Sequence, residues 1–367
     1  MQDILLAAGT RLHRYLLEKH WNGAALVGPD PGVRFNARAG RFIKGYLPGV
    51  SWTDEMIYMQ TQGYWVFANW ALSEINEGPY EGLAMSSTDT IAQSQRDDGA
   101  WDYPNPAWRG RVATVEGSFA ALALLDSYRR RRERGFLDSA LRWHTYLEER
   151  TGFRANGGVN YFAHEPSDQD TGGVPNNSTL VLWLLAQLAE ATGDHSYLSR
   201  APQLVSWLSE VQLPSGELPY KISPSGEVDA HFLCYNYNAF EFVDLLHYYE
   251  LTGDDNMWPV LQRLAAYLQG GVTPSGTSRF ECEKDHPIVL YYTPALARAL
   301  SEATRLELGD YRPEVERLYG WLLEQQVSDG RFVFYSTKNY GWLSDTRSYP
   351  RYLAMVLHHL VKETTRL

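Results

Sequence analysis

The chain has 367 residues, 44% of them hydrophobic, with a formal net charge of −11. An acidic balance of that size excludes general nucleic-acid binding, which needs a basic face. Two cysteines, Cys234 and Cys282, are too few for a disulfide framework and point to a reducing, cytoplasmic location.

In chain order, apolar residues recur at helical spacing near 3–20, 53–76, 80–95, 113–131, 134–151, 177–193, 196–212, 235–253, 255–270, 288–308, 312–327 and 349–366. Leu180, Leu184 and Leu188 illustrate the spacing in one segment, and Leu204, Leu208 and Val211 in another. The first segment carries scattered charges and lacks a signal-peptide pattern. No run of about 20 apolar residues offers a membrane span, which leaves peripheral membrane contact open.

The connections alternate in length. ATGDHS (191–196), LTGDDN (251–256) and LGDYRP (308–313) are tight, with a glycine to end one helix and an aspartate to cap the next. The others, near 21–52, 96–112, 152–176, 213–234, 271–287 and 328–348, are long enough to predict function. A phrase repeats in these long loops. QSQRDDGAWDYP (93–104) holds Gln95, Gly99 and Trp101, and QLPSGELPY (212–220) and QVSDGRFVFY (326–335) are partial copies. Taking Gly40, Gly99, Gly158, Gly216, Gly276 and Gly330 as markers gives intervals of 59, 59, 58, 60 and 54 residues. Six such units without a flexible linker predict one domain over residues 1–367. Six helical hairpins joined by alternately short and long loops predict an all-α (α/α)6 toroid. Its inner helices line a cavity and its long loops crowd one rim. The glycine phrase is then a turn in which glycine adopts φ > 0 and an aromatic ring packs back.

Polar groups mark the predicted inner helices. Asp54, Tyr58, Gln62, Trp65 and Asn69 form one stripe. Asn238 and Glu241 share a face of another, with Tyr235, Asn236 and Tyr237 at its start. Such stripes suit ligand contact, although acidic groups in a first turn also complement the helix dipole. The 24 tyrosines and 12 tryptophans suit cavity walls that meet a ligand, or a large aromatic core.

The spacing Q-x-x-x-G-x-W at 95–101 resembles the QW motif of the terpenoid cyclase and protein prenyltransferase toroids. A single domain of this size is similar to monodomain class II terpene cyclases of the merosterolic acid synthase type. That resemblance implies metal-free protonation and cyclisation of a polyprenyl chain, with or without a prenylated aromatic acid. Those enzymes take the proton from a D-x-D-D-T motif, but here VPNNSTLVLWLL (174–185) puts Asn176 and Asn177 in place of its last two carboxylates. SDQDTGG (167–173) offers Asp168 and Asp170 instead, and two close carboxylates can share a proton at raised pKa. Asp54, Asp102, Glu116 and Glu241 are the other candidate acids. Trp52, Tyr58, Trp65, Tyr235, Tyr237, Tyr291, Tyr292 and Tyr340 would present ring faces to cationic intermediates.

A carbohydrate-active reading uses the same residues. Toroids of this shape also host uronate lyases, hydrolases and C5-epimerases, and tyrosine and tryptophan stack on sugars equally well. Arg38, Arg41, Lys44, Arg109, Arg111, Lys221, Arg279, Lys284, Lys338 and Arg347 fall in long loops and predict an anionic, partly apolar small-molecule substrate. His231, with His164 and His286, adds proton-transfer groups there. A non-catalytic binding scaffold is the third reading. Asp229, His231, Cys234, Cys282 and His286 are metal-ligand types, but DAHFLC and ECEKDH match no zinc spacing, and no metal or other cofactor is expected. G-x-S-x-G, P-loop, dinucleotide and D-D-x-x-D motifs are absent.

Overall fold

The computed structural model describes residues 1–30, 55–105, 108, 110–150, 152–154, 157–162, 172–334 and 348–365. Twelve α-helices appear among them. They are α1 Gln2–Lys19, α2 Met59–Ile75, α3 Tyr80–Gln93, α4 Thr114–Arg131, α5 Arg134–Glu149, α6 Pro175–Thr192, α7 Ala201–Val211, α8 Cys234–Thr252, α9 Trp258–Gln269, α10 Thr293–Arg305, α11 Arg312–Glu324 and α12 Pro350–Thr364. A two-stranded hairpin, β1 Lys221–Ile222 against β2 Val228–Asp229, sits between α7 and α8.

The even-numbered helices form an inner ring in which each packs on the next, and α12 returns to α2. The odd-numbered helices form the outer layer. Inner helices such as α2 and α6 are buried around most of their circumference, whereas α7 and α9 bury one face and expose the other. Short turns stop the inner helices by left-handed backbone at Arg132, Gly193 and Gly253, with φ of 59°, 72° and 64°. Proline opens α6 and α12 at the first turn, where no amide hydrogen is required. The expected (α/α)6 toroid is therefore present, and the N-termini of all six inner helices meet at the long-loop rim.

The repeated phrase is an outer-layer clamp. Gln95, Gln212 and Gln326 each donate from Nε2 to the carbonyl of the glycine four residues on, at 2.8 Å in all three. The same amides donate to Ser139 O at 2.9 Å, Val260 O at 3.1 Å and Ala8 O at 2.9 Å on the following outer helix. Gly99, Gly216 and Gly330 have φ of 90°, 96° and 95°. A Cβ on them would meet the carbonyl oxygens of Arg142, Arg263 and Arg11 at 2.6, 2.3 and 2.5 Å. In the third copy the positive φ belongs to Gly157, at 107°, rather than to Gly158.

Some helix boundaries differ from the periodicity. The helix expected from 53 begins at Met59, because Met56 pairs its backbone N–H and C=O with Gly28 and Tyr58 is extended. The helix expected from 288 begins at Thr293, after a 3-10 turn at Leu290–Tyr292.

Candidate active site

The inner helices surround a chamber of about 140 Å³ at the long-loop rim. Five of the six line it directly: Gln60 and Tyr64 come from α2, Val115 and Phe119 from α4, and Asn176, Asn177 and Leu180 from α6. Asn236, Tyr237, Phe240 and Asp244 come from α8, Tyr292 precedes α10, and Arg351, Tyr352 and Met355 come from α12. Tyr161 and Tyr220 close the wall from loops.

Arg351 organises one side. Its Nε donates to Gln60 Oε1 at 3.0 Å, Nη1 to Asp30 Oδ2 at 3.4 Å and Nη2 to Glu116 Oε1 at 3.2 Å. The guanidinium lies 4.3 Å from the centre of the Tyr58 ring. Glu116 is 1% exposed and its other oxygen accepts from Gln60 N at 2.8 Å. Burial raises the Glu116 carboxyl above its usual range, against the opposing pull of Arg351. Arg351 thus faces two carboxyl groups, so its charge is compensated within the protein.

Asp244 occupies the deep end. It accepts from Thr179 Oγ1 at 3.4 Å, and burial drives its carboxyl well above the ordinary value despite that bond and the cation of Arg298. Glu241, one turn earlier on α8, is likewise raised by burial and by the nearby Asp244 charge, and its Oε2 finds no partner among the described residues. The phenols are uncharged donors at neutral pH, because burial raises Tyr161 and Tyr237 and pushes Tyr220 up to about 12.

Beneath Asp244 lies a second, 20 Å³ chamber that shares Tyr64, Phe119, Phe240 and Asp244 with the first. Arg298, His247, His358 and His359 line it. Arg298 Nη1 donates to His358 Nε2 at 2.8 Å, which places the imidazole proton on Nδ1. Burial, and next the Arg298 charge, holds all three histidines well below the usual imidazole value. They are therefore neutral rings.

The sequence candidates are dispersed. Glu116, Asn176, Asn177, Tyr237 and Tyr292 reach the chamber or its arginine, and Tyr58 supports that arginine. Gln62 instead clamps Leu26, accepting from its N–H at 2.9 Å and donating to its C=O at 2.8 Å. Asn238 treats Leu218 the same way, at 2.7 and 2.9 Å. Trp65 stacks on His13 with centroids 4.6 Å apart, and Tyr235 stacks on Tyr267 at 4.9 Å. Tyr291 donates to Phe332 O at 3.1 Å. Asp102 is exposed and pairs with Arg96 at 3.0 Å. Arg111 is exposed over the Trp108 and Phe162 rings, and His231 lies beside Glu217 in a loop. Trp52, Asp54, Arg109, Asp168, Asp170, Tyr340 and Arg347 lie outside the described residues. Sequence reasoning missed Arg351, Asp244, Gln60, Tyr64 and the Arg298 cluster. Charged or imidazole groups inside apolar runs, as in EFVDLLH (241–247) and AMVLHHLV (354–361), were the available signal.

No protein-family model and no curated relative matches the sequence. Solved structures do. Cellobiose 2-epimerase from Bacillus thermoamylovorans B4167 superposes with a TM-score of 0.78 at 14% identity, over 99% of this chain and 100% of the other. A D-mannose isomerase gives 0.73 at 14% identity, over 99% and 98%. A glycosyl hydrolase of family 88 from Bacteroides vulgatus gives 0.65 at 10%, over 99% of both chains. The fold is the (α/α)6 toroid. These matches overturn the terpene cyclase expectation: the chain superposes end to end on sugar-processing toroids. The chamber wall mixes apolar and aromatic side chains with amide, phenol, carboxyl and guanidinium groups. No described helix is long and apolar enough to cross a membrane.

Proposed function

We propose that this chain is a carbohydrate-active enzyme that moves a proton on a small reducing sugar, epimerising or isomerising it within the axial chamber. The observation that carries this reading is the position of Asp244, a buried carboxyl at the deep end of a chamber whose polar lining is otherwise amides, phenols and the internally paired Arg351, with burial raising that carboxyl above its ordinary pKa. In its ionised form the Asp244 carboxylate, made more basic by burial, can take a proton from the carbon beside a sugar carbonyl. It can return that proton from the same side to the neighbouring carbon, or to the same carbon with inversion once the enediolate has turned over. Phenol hydroxyls of Tyr161, Tyr220 and Tyr237, uncharged at neutral pH, can donate to the oxygen on which negative charge develops. Asn176, Asn177 and Asn236 suit the remaining hydroxyls, and the aromatic rings suit the sugar's apolar face. Because Arg351 is already balanced by Asp30 and Glu116, an uncharged sugar fits better than the anionic substrate expected from a basic rim. Two of the described rim cations are also paired, Arg279 with Asp285 and Lys284 with Glu281.

The test is incubation with a panel of free aldoses, ketoses and disaccharides in D2O, read by NMR. The reading expects deuterium at a carbon next to the carbonyl together with a new isomer. Asp244→Asn should slow that exchange by about 10²–10⁴-fold while melting at an unchanged temperature. Cleavage of a glycosidic bond without exchange at carbon would replace this reading with hydrolysis.

A further inference from the structure

A second cluster of reactive side chains lies outside the chamber, on the rim between the fourth and fifth hairpins. Glu217, Cys234 and Cys282 come together there, with one donor atom from each lying within 4.8 Å of the others. They arrive from three separate segments. Glu217 follows the glycine clamp after α7, Cys234 is the first residue of α8, and Cys282 sits in the tight turn Glu281–Lys284 between α9 and α10. The β1–β2 hairpin folds the chain back so that His231 joins them. His231 and Leu233 hold φ of 67° and 45°, left-handed backbone that side-chain-bearing residues seldom adopt.

Glu217, Cys234 and Cys282 are a compact donor set, and His231 borders two of its members. His231 Nδ1 lies 2.8 Å from Glu217 Oε2 and 3.2 Å from Cys282 Sγ. Cys282 Sγ lies 3.7 Å from Glu217 Oε2 and 2.7 Å from Cys234 Sγ. The Tyr267 hydroxyl is 2.9 Å from Cys282 Sγ, placed to donate to a thiolate. Glu217 is only 1% exposed, and its recorded partners are the backbone and ring nitrogens of His231 and the Cys282 thiol. A buried carboxylate beside an imidazole and a thiol is a site where a positive charge is favourable, and a metal ion bound by all of them would supply it.

We propose that Glu217, Cys234 and Cys282 form the core of a structural zinc site that ties the loops before α8 and α10 together, with His231, which already touches Glu217 and Cys282, moving in as the fourth ligand. Two thiolates, an imidazole nitrogen and a carboxylate make a tetrahedral donor set that selects zinc over magnesium or calcium. Zinc–sulfur bonds of about 2.3 Å give a sulfur–sulfur edge of about 3.8 Å, so the cysteine pair opens by about an ångström on binding. The Tyr267 hydroxyl then orients one thiolate from outside the coordination sphere. This site is independent of the reaction in the chamber.

The experiment is elemental analysis of tag-free protein purified under reducing conditions, before and after incubation with zinc and gel filtration. One zinc per chain is expected, and a chelator should lower the melting temperature until zinc is returned. Cobalt(II) in place of zinc should give the intense visible bands of a tetrahedral thiolate complex, which needs no variant to fold. Cys282→Ser should abolish those bands, and His231→Ala should weaken zinc binding. Protein that stays metal-free after zinc incubation overturns the proposal. So does unreduced, denatured protein with no titratable thiol, which would mean that the two cysteines are joined to each other.

Discussion

The outer turns and the inner wall use the same six units in opposite ways. Around the outside, Gln95, Gln212 and Gln326 repeat one hydrogen-bond pattern, and Gly99, Gly216 and Gly330 repeat one backbone geometry. Around the inside little repeats. The entries to the six inner helices supply Gln60, Glu116, Asn177, Asn236, Tyr292 and Arg351, so that only α6 and α8 bring the same residue type to the chamber. Repetition marks the parts that hold neighbouring hairpins together, and divergence among equivalent positions marks the parts exposed to selection by a ligand.

The sharpest way to break this contrast is to disturb the inner wall where its members depend on each other. Glu116→Ala leaves Arg351 with a buried, partly uncompensated charge, and should cost about 3–5 kcal/mol in urea unfolding. Glu116→Gln, which keeps the shape and an acceptor, should recover part of that loss. On the outer side, Gly216→Ala forces a Cβ to within 2.3 Å of Arg263 O at φ of 96°. It should cost about 2–3 kcal/mol, measured by the same melts, with no loss of ligand affinity in the chamber. Equal damage to both properties would mean that the turn and the chamber are not separable.

The lower chamber gives a pH signature. His247, His358 and His359 are held well below 6.5 in the folded chain, so the unfolded chain binds their protons more tightly. Their contribution to stability is full above pH 6.5 and is lost as the pH falls below it. His359 has no hydrogen-bond partner on either ring nitrogen among the described residues. His359→Phe should therefore be tolerated at pH 7.5 and should flatten the acid limb by about 1.4 kcal/mol per pH unit. The smallest effect is expected at Asp102, whose exposed pairing with Arg96 makes Asp102→Ala worth less than about 1 kcal/mol in the same assay.

The architecture was legible because it is written six times. A glycine at intervals near 59 residues, with alternating short and long loops, permits few arrangements other than a closed ring of hairpins. The chamber was harder to read for a physical reason. An inner helix is buried on the side facing the axis and on the side facing its outer partner, so periodicity finds a polar stripe without saying which way it points. Tyr58, Gln62, Trp65 and Asn69 form such a stripe, yet Gln62, Trp65 and Asn69 serve Leu26 and His13 while Gln60 and Tyr64 face the chamber. Arg351 illustrates a second obstacle. Its partners Asp30 and Glu116 are hundreds of residues away, and they meet it only because the last inner helix closes on the first. Glu116 could be picked out as an acid in a first turn, but its pairing could not.

That closure also makes the order of the hairpins a convention. Gln326 grips Ala8, a Cβ on Gly330 would strike Arg11, and Gly9 faces Leu357 and Val361, so the first and last helices are neighbours held by the same clamp that Gln95 and Gln212 make between other units. The seam between last and first is mechanically equivalent to the short turns at Gly193 and Gly253. A circularly permuted chain, opened at one of those turns and linked across the seam, would wind through the same twelve positions and present the same chamber.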